Sequence, residues 1–187
     1  MHRRLWLNDP DCIMIRDRDT RLSAAERQAQ MDAIALSGGI LMYSDDFSAL
    51  GQKAYEDLAL IEGISDDCFD GRAIAVDLME KEMPEIYYNT AGYLGLFNFQ
   101  GRKARRRFDL SRLLPYEPGL ASLVDVRDGQ VFLLGSDAEL ELELDRHGSR
   151  LFRLGGPGPA QRVGPAVHRP AARAGVVQQF PDPPEPR

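Results

Sequence analysis

The chain has 187 residues, 43% hydrophobic and 28% charged, enough to bury one ordinary core or two small ones. Its formal net charge of −6 argues against a general nucleic-acid binder, which needs clustered cations, and no apolar run is long enough to span a bilayer. Cys12 and Cys68 make no disulfide framework and stand in no metal-ligand spacing, so a reducing, cytoplasmic compartment is the expectation.

Along the chain, Arg4-Leu5-Trp6-Leu7 is a short apolar run that stops at Asn8-Asp9-Pro10-Asp11 and resumes as Cys12-Ile13-Met14-Ile15, which reads as a buried strand with a polar turn. The positively charged N-terminus has no apolar stretch behind it and does not read as a secretion signal. Ser23 and Glu26 form an S-x-x-E capping box that predicts a helix closing at Gly38-Gly39. Ile40-Leu41-Met42-Tyr43 is a second apolar strand, and Phe47, Leu50, Ala54, Leu58 and Ile61 then recur at helical spacing up to Gly63. Strand, helix, strand, helix belongs to an α/β layer or a (β/α) barrel, because parallel strands need such crossovers.

From about Arg72 the apolar period changes to two. Strands are predicted at 74–76, 86–88, 93–99, 122–126, 130–134, 139–144 and 151–154, with Asp128-Gly129 as a two-residue hairpin turn. Many short antiparallel strands in under a hundred residues read as a small β-sandwich. After Gly155-Gly156 proline, glycine, alanine and arginine dominate, and 156–187 is expected to be disordered.

The densest chemistry is Asn8-Asp9-Pro10-Asp11-Cys12 at a strand's end, where barrel enzymes place working residues. Two carboxylates two apart suit a metal site, an acid/base pair, acceptors for a polyhydroxylated ligand, or an ordinary turn. The run Trp6-Leu7-Asn8-Asp9-Pro10-Asp11-Cys12, with Ser37 and Ser44-Asp45-Asp46, resembles the seventh and eighth βα units of clan D α-galactosidases (melibiases), especially the family 36 type. The segments 74–77, 84–85, 96–98 and 109–113 are similar to the sandwich that follows the barrel there, so the resemblance covers about residues 1–155.

The resemblance implies α/β plus all-β architecture: the last two βα units of a (β/α)8 barrel over 1–66, then an antiparallel β-sandwich over 67–155. It implies hydrolysis of terminal α-galactosides by a retaining route without cofactor. In that route one aspartate attacks the anomeric carbon and another, roughly 5 Å away, serves as acid and then base. Both come from earlier strands, the nucleophile from a K-x-D motif, so no catalytic residue is assigned here. A full barrel takes about 250 residues, and the chain reads as a C-terminal piece.

By position Asp11 and Cys12 would line the galactosyl subsite, with Trp6, Asn8 and Asp9 fixing the loop and Asp45 and Asp46 either capping the next helix or reaching the ligand. The expected partners are an α-galactoside, a missing N-terminal barrel or a second copy, with no nucleic acid, membrane or metal. The rival reading is a noncatalytic binding or subunit-interaction module using Tyr87, Tyr88, Tyr93 and Phe97. The basic run 102–107 reads as a solvated face, Arg16-Asp17-Arg18-Asp19 as a solvated loop, and His2, His147 and His168 as surface or turn residues.

Overall fold

A computed structural model describes residues 8–155. Trp6, the strand expected at 4–7, His2, His168 and the expected disordered tail lie outside them. Helix α1 (Ala24–Ser37) starts with the predicted capping box, Ser23 accepting from the Glu26 N–H and Glu26 reaching back, and closes at Gly38 with φ 65°. A short 3₁₀ turn at Phe47–Ala49 precedes α2 (Gln52–Cys68), which runs through Gly63, where the sequence placed its end. The expected division at residue 66 falls in the last turn of α2.

Eight strands follow: β1 (Ala73–Ala75), β2 (Ile86–Asn89), β3 (Tyr93–Phe97), β4 (Ala104–Asp109), β5 (Ser122–Asp125), β6 (Val131–Leu133), β7 (Glu139–Leu144) and β8 (Ser149–Gly155). Six form one antiparallel sheet in the order β1-β2-β3-β8-β5-β6, and β4 and β7 pair as a separate ribbon. The alternation of side chains along the strands sorts them into two cores. Leu94, Leu96, Leu123 and Phe152 face Phe108, Leu140, Leu142 and Leu144 of the ribbon, while Tyr93, Phe97 and Leu151 face Ile34, Leu36, Ile61 and Ile64 of the helices. The order of layers is therefore helices, six-stranded sheet, ribbon, and β3 is buried on both faces. Gly95 lies under α1, where a Cβ would overlap Leu36.

Three details differ from the sequence reading. The second part of the basic run, 104–107, lies in strand β4, whose Arg106 turns inward to an ion pair with Glu85 while Arg105 and Arg107 face solvent. The β5–β6 connection closes through Asp125 and Gln130, so its loop has four residues and only Gly129 takes positive φ, 71°. Tyr88, Tyr93 and Phe97 are 1–4% exposed core residues, and only Tyr87 of the four aromatics offered for ligand binding is half-buried. Packing against α1 and the ribbon takes the other three out of reach.

Candidate functional site

The 8–15 segment and the 40–44 segment run side by side in parallel, joined by α1. Ile40 N–H donates to the Asn8 carbonyl (3.2 Å), Ile13 N–H to the Met42 carbonyl (2.8 Å) and Ser44 N–H to the Ile13 carbonyl (3.2 Å). Only one bridge, Ile13 with Tyr43, has ladder geometry, so the two predicted strands are extended segments rather than regular ones. The Asn-Asp-Pro-Asp-Cys loop stands at the head of this pair of extended segments, with α1 between them.

Helix α1 and its exit hold the loop. Asn8 Nδ2 donates to the Ser37 carbonyl at 2.9 Å. A Cβ on Gly39 would overlap the Asn8 carbonyl and the Pro10 ring, so the second glycine of Gly38-Gly39 is required by the approach of the loop. Gln30 of α1 reaches across with both ends of its amide, Oε1 accepting from Met14 N–H (3.2 Å) and Nε2 donating to the Cys12 carbonyl (3.3 Å). Nothing in the sequence singles out Gln30 from the other polar residues of α1.

Within the loop Asp11 is exposed, and its Oδ1 accepts from the Cys12 N–H at 2.7 Å, which orients the carboxylate and leaves Oδ2 for another donor. Cys12 is half-buried with a free thiol. Asp9 is exposed and bonds none of the described residues; the bonds that hold the loop come from Asn8 and Gln30. Asp45 sits elsewhere: its buried carboxylate accepts from Ile15 N–H (2.5 Å), Arg16 N–H (3.3 Å) and Arg16 Nη1 (3.0 Å). Since Ile13 pairs with Tyr43, Asp45 lies level with Ile15, four residues or roughly 13 Å along the segment from Asp11. Asp46 caps the 3₁₀ turn, taking the Ser48 N–H (2.9 Å) and hydroxyl (2.7 Å), bonds that hold its carboxyl below the usual range. The helix α2 itself begins at Gly51 without a side-chain cap.

The unit is tied to the sheet by charge as well as by packing. Asp32 of α1 is fully buried, takes both Nη groups of Arg127 (2.6 and 3.3 Å) and accepts from the Ser149 hydroxyl at 2.6 Å. Burial pushes its carboxyl up, and Arg127 and Ser149 pull against that. His147, in the β7–β8 turn, contacts Glu26 at 2.7 Å; with the Ser23 bonds this lowers the Glu26 carboxyl to about 2. Burial drives the Cys68 thiol up to about 12. Among the described residues no cluster of three or more His, Cys, Asp or Glu side chains is placed to hold a metal, and no helix is long and apolar enough to cross a membrane.

No family model matches the chain. Solved structures do share its fold. α-Galactosidase I from Mortierella vinacea matches with a TM-score of 0.61 at 12% identity, over 81% of this chain and 40% of that one. A family 27 β-L-arabinopyranosidase from Geobacillus stearothermophilus matches at 0.57 and 17% identity, over 78% of this chain and 32% of that one. Isomalto-dextranase from Arthrobacter globiformis matches at 0.51 and 20%, over 74% and 25%. The chain spans well under half the length of each. The likeness is one of fold: these neighbours are glycosidases named for different sugars, and the α-galactosidase neighbours share their C-terminal β-sandwich with this chain.

Proposed function

We propose that the chain is the C-terminal part of a retaining clan D glycoside hydrolase that releases terminal α-linked galactose. The observation that carries this reading is the Asn-Asp-Pro-Asp-Cys loop heading two parallel extended segments joined by α1, which packs on a sandwich whose fold solved glycosidases share. The loop run favours the family 36 type, while the solved neighbours of this fold include a family 27 enzyme. Asp11 is the sugar-binding group. Its Oδ1 is fixed by the Cys12 N–H, and an ionised carboxylate takes hydroxyl donors in charge-assisted bonds, so Oδ2 accepts from a ring hydroxyl of the galactosyl unit. Cys12 lines the same subsite.

The nucleophile and the acid/base belong to upstream βα units, and residues 1–66 and 67–155 are the barrel end and the sandwich of the complete enzyme. The double displacement needs no metal or organic cofactor. Its natural partner is the rest of the barrel, which would pair with the outer edges of the 8–15 and 40–44 segments and cover the exposed side chains of Ile40 and Met42. The purified chain should leave an activated aryl α-galactoside intact, and fusion to the upstream barrel of a homologous α-galactosidase should give turnover. Turnover by the lone chain, abolished by replacing its own aspartates, would contradict the assignment.

A further inference from the structure

Successive residues at the exit of α1 are held from two sides. The Leu36 carbonyl, one of the last-turn carbonyls that a helix leaves unpaired, accepts from Asn89 Nδ2 at 2.9 Å. The Ser37 carbonyl accepts instead from Asn8 Nδ2, also at 2.9 Å. A Cβ on Gly38 would overlap the Cys68 carbonyl at the end of α2, and one on Gly39 would overlap the Asn8 carbonyl and the Pro10 ring. Leu36 and Gly38 therefore meet the sheet side and the end of α2, while Ser37 and Gly39 meet the 8–12 loop.

Asn89, the last residue of β2, has no exposed surface and uses both ends of its amide. Besides Leu36, Nδ2 donates to the Cys68 carbonyl at 3.3 Å, and Oδ1 accepts from the Ala91 N–H at 2.9 Å. Gly71 makes room for it, since a Cβ there would overlap Oδ1. A buried amide is costly unless its donors and acceptor are met, so this side chain has one place to stand. It ties the end of α1, the end of α2 and the turn after β2 at one point. Asn98 is also fully buried but serves another region: its Nδ2 donates to the carbonyls of Arg102 (3.0 Å), Leu144 (3.3 Å) and Asp145 (2.8 Å), and its Oδ1 accepts from the Gln100 N–H.

We propose that Asn89 is a positioning residue for the 8–12 loop, acting through the α1 exit to set where Asn8 and Pro10, and with them Asp11, stand. Gln30 holds the 12–14 side of the loop from the middle of α1, whereas the 8–10 side meets the exit that Asn89 fixes. Without the amide, the Leu36 carbonyl and the Ala91 N–H lose a buried partner, and the exit is free to shift against the sheet. That the loop so placed meets a sugar rests on the proposed function; the linkage from Asn89 to the loop does not.

Hydrogen exchange on the full 187-residue chain, with Asn89→Ala set against Asn98→Ala, tests the linkage. Asn89→Ala should speed exchange about tenfold over 8–15 and 36–44, which hold the Ile13, Ile40 and Ser44 N–H groups, and leave 139–144 unchanged. Asn98→Ala should do the reverse. If Asn89→Ala fails to fold, Asn89→Asp carries the test, because it keeps an acceptor for the Ala91 N–H and removes both donors. Equal acceleration by the two variants, or unchanged exchange over 8–15 in a folded Asn89 variant, overturns the proposal. In a fusion to a homologous upstream barrel, Asn89→Ala should weaken galactose binding about tenfold and Asn98→Ala should leave it unchanged. An affinity that Asp11→Asn lowers and Asn89→Ala does not overturns the positioning role. An affinity that neither changes, with faster exchange over 8–15 in the Asn89 variant, supports the linkage and contradicts the sugar reading instead.

Discussion

Two sets of ion pairs in this molecule use the same chemical groups in opposite surroundings. On the outer face of the β4–β7 ribbon, Lys103 meets Glu143 and Arg105 meets Glu141, each at 2.5 Å, and Arg107 meets Glu139. Those side chains are largely in solvent, which screens the attraction and leaves each acid hydrated when its partner goes. At the seam between α1 and the sheet, Arg127 meets an Asp32 that has no exposed surface at all. There the acid has already lost its water, and Arg127 together with the Ser149 hydroxyl compensates for it. The ladder therefore decorates the ribbon, whereas the seam joins the apolar packing in holding the unit that bears the 8–12 loop against the sandwich.

The comparison can be broken in graded steps. Arg127→Ala, which strands the Asp32 charge, should cost about 3 kcal/mol of unfolding free energy in a denaturant titration, and Asp32→Asn combined with it should recover part of that. A cost no larger than that of a surface substitution would remove the seam from the account. The Glu26 contact should show a smaller, pH-dependent effect. Its carboxyl has a folded value of about 2 against an ordinary 4.5. A depressed folded value means that its contribution is complete above about pH 4.5 and fades as pH falls toward 2. Glu26→Gln should flatten the stability profile across that window and leave its shape above pH 5 unchanged; an unaltered acid limb would contradict the His147 and Ser23 assignments. Arg107→Ala on the ribbon should have the smallest effect, within about 0.5 kcal/mol and weaker still in salt.

Much of the local structure is legible in the sequence because its causes are local. The Ser23–Glu26 box and Gly38 mark both ends of α1, and the alternation Leu140, Leu142, Leu144 marks the inner face of β7. Strand β4 is hidden because one of its inward positions is an arginine whose neutralising partner, Glu85, is 21 residues away. Asp32 looks like any polar residue of an amphipathic helix until Arg127, 95 residues on, is placed against it. The two segments around the loop are over-read as full strands, since their parallel pairing is nonlocal and yields one bridge. For the site, the Asn-Asp-Pro-Asp-Cys run identifies the loop but not what holds it. Gln30 and Gly39 do so from α1 and its exit, and only folding brings them to residues 8–14.

The proposed function turns on Asp11 as the group of this chain that would meet the sugar. In an enzyme reconstituted by fusing the chain to a homologous upstream barrel, galactose affinity and the kinetics of aryl α-galactoside hydrolysis should be measured for Asp11→Asn and Asp9→Asn. Replacing Asp11 removes a charged acceptor worth about 1.5–3 kcal/mol, so binding should weaken about tenfold or more. Asp9, exposed and bonded to none of the described residues, should tolerate the change with little effect on binding. Unchanged galactose binding and unchanged turnover in a folded Asp11→Asn enzyme would contradict the claim.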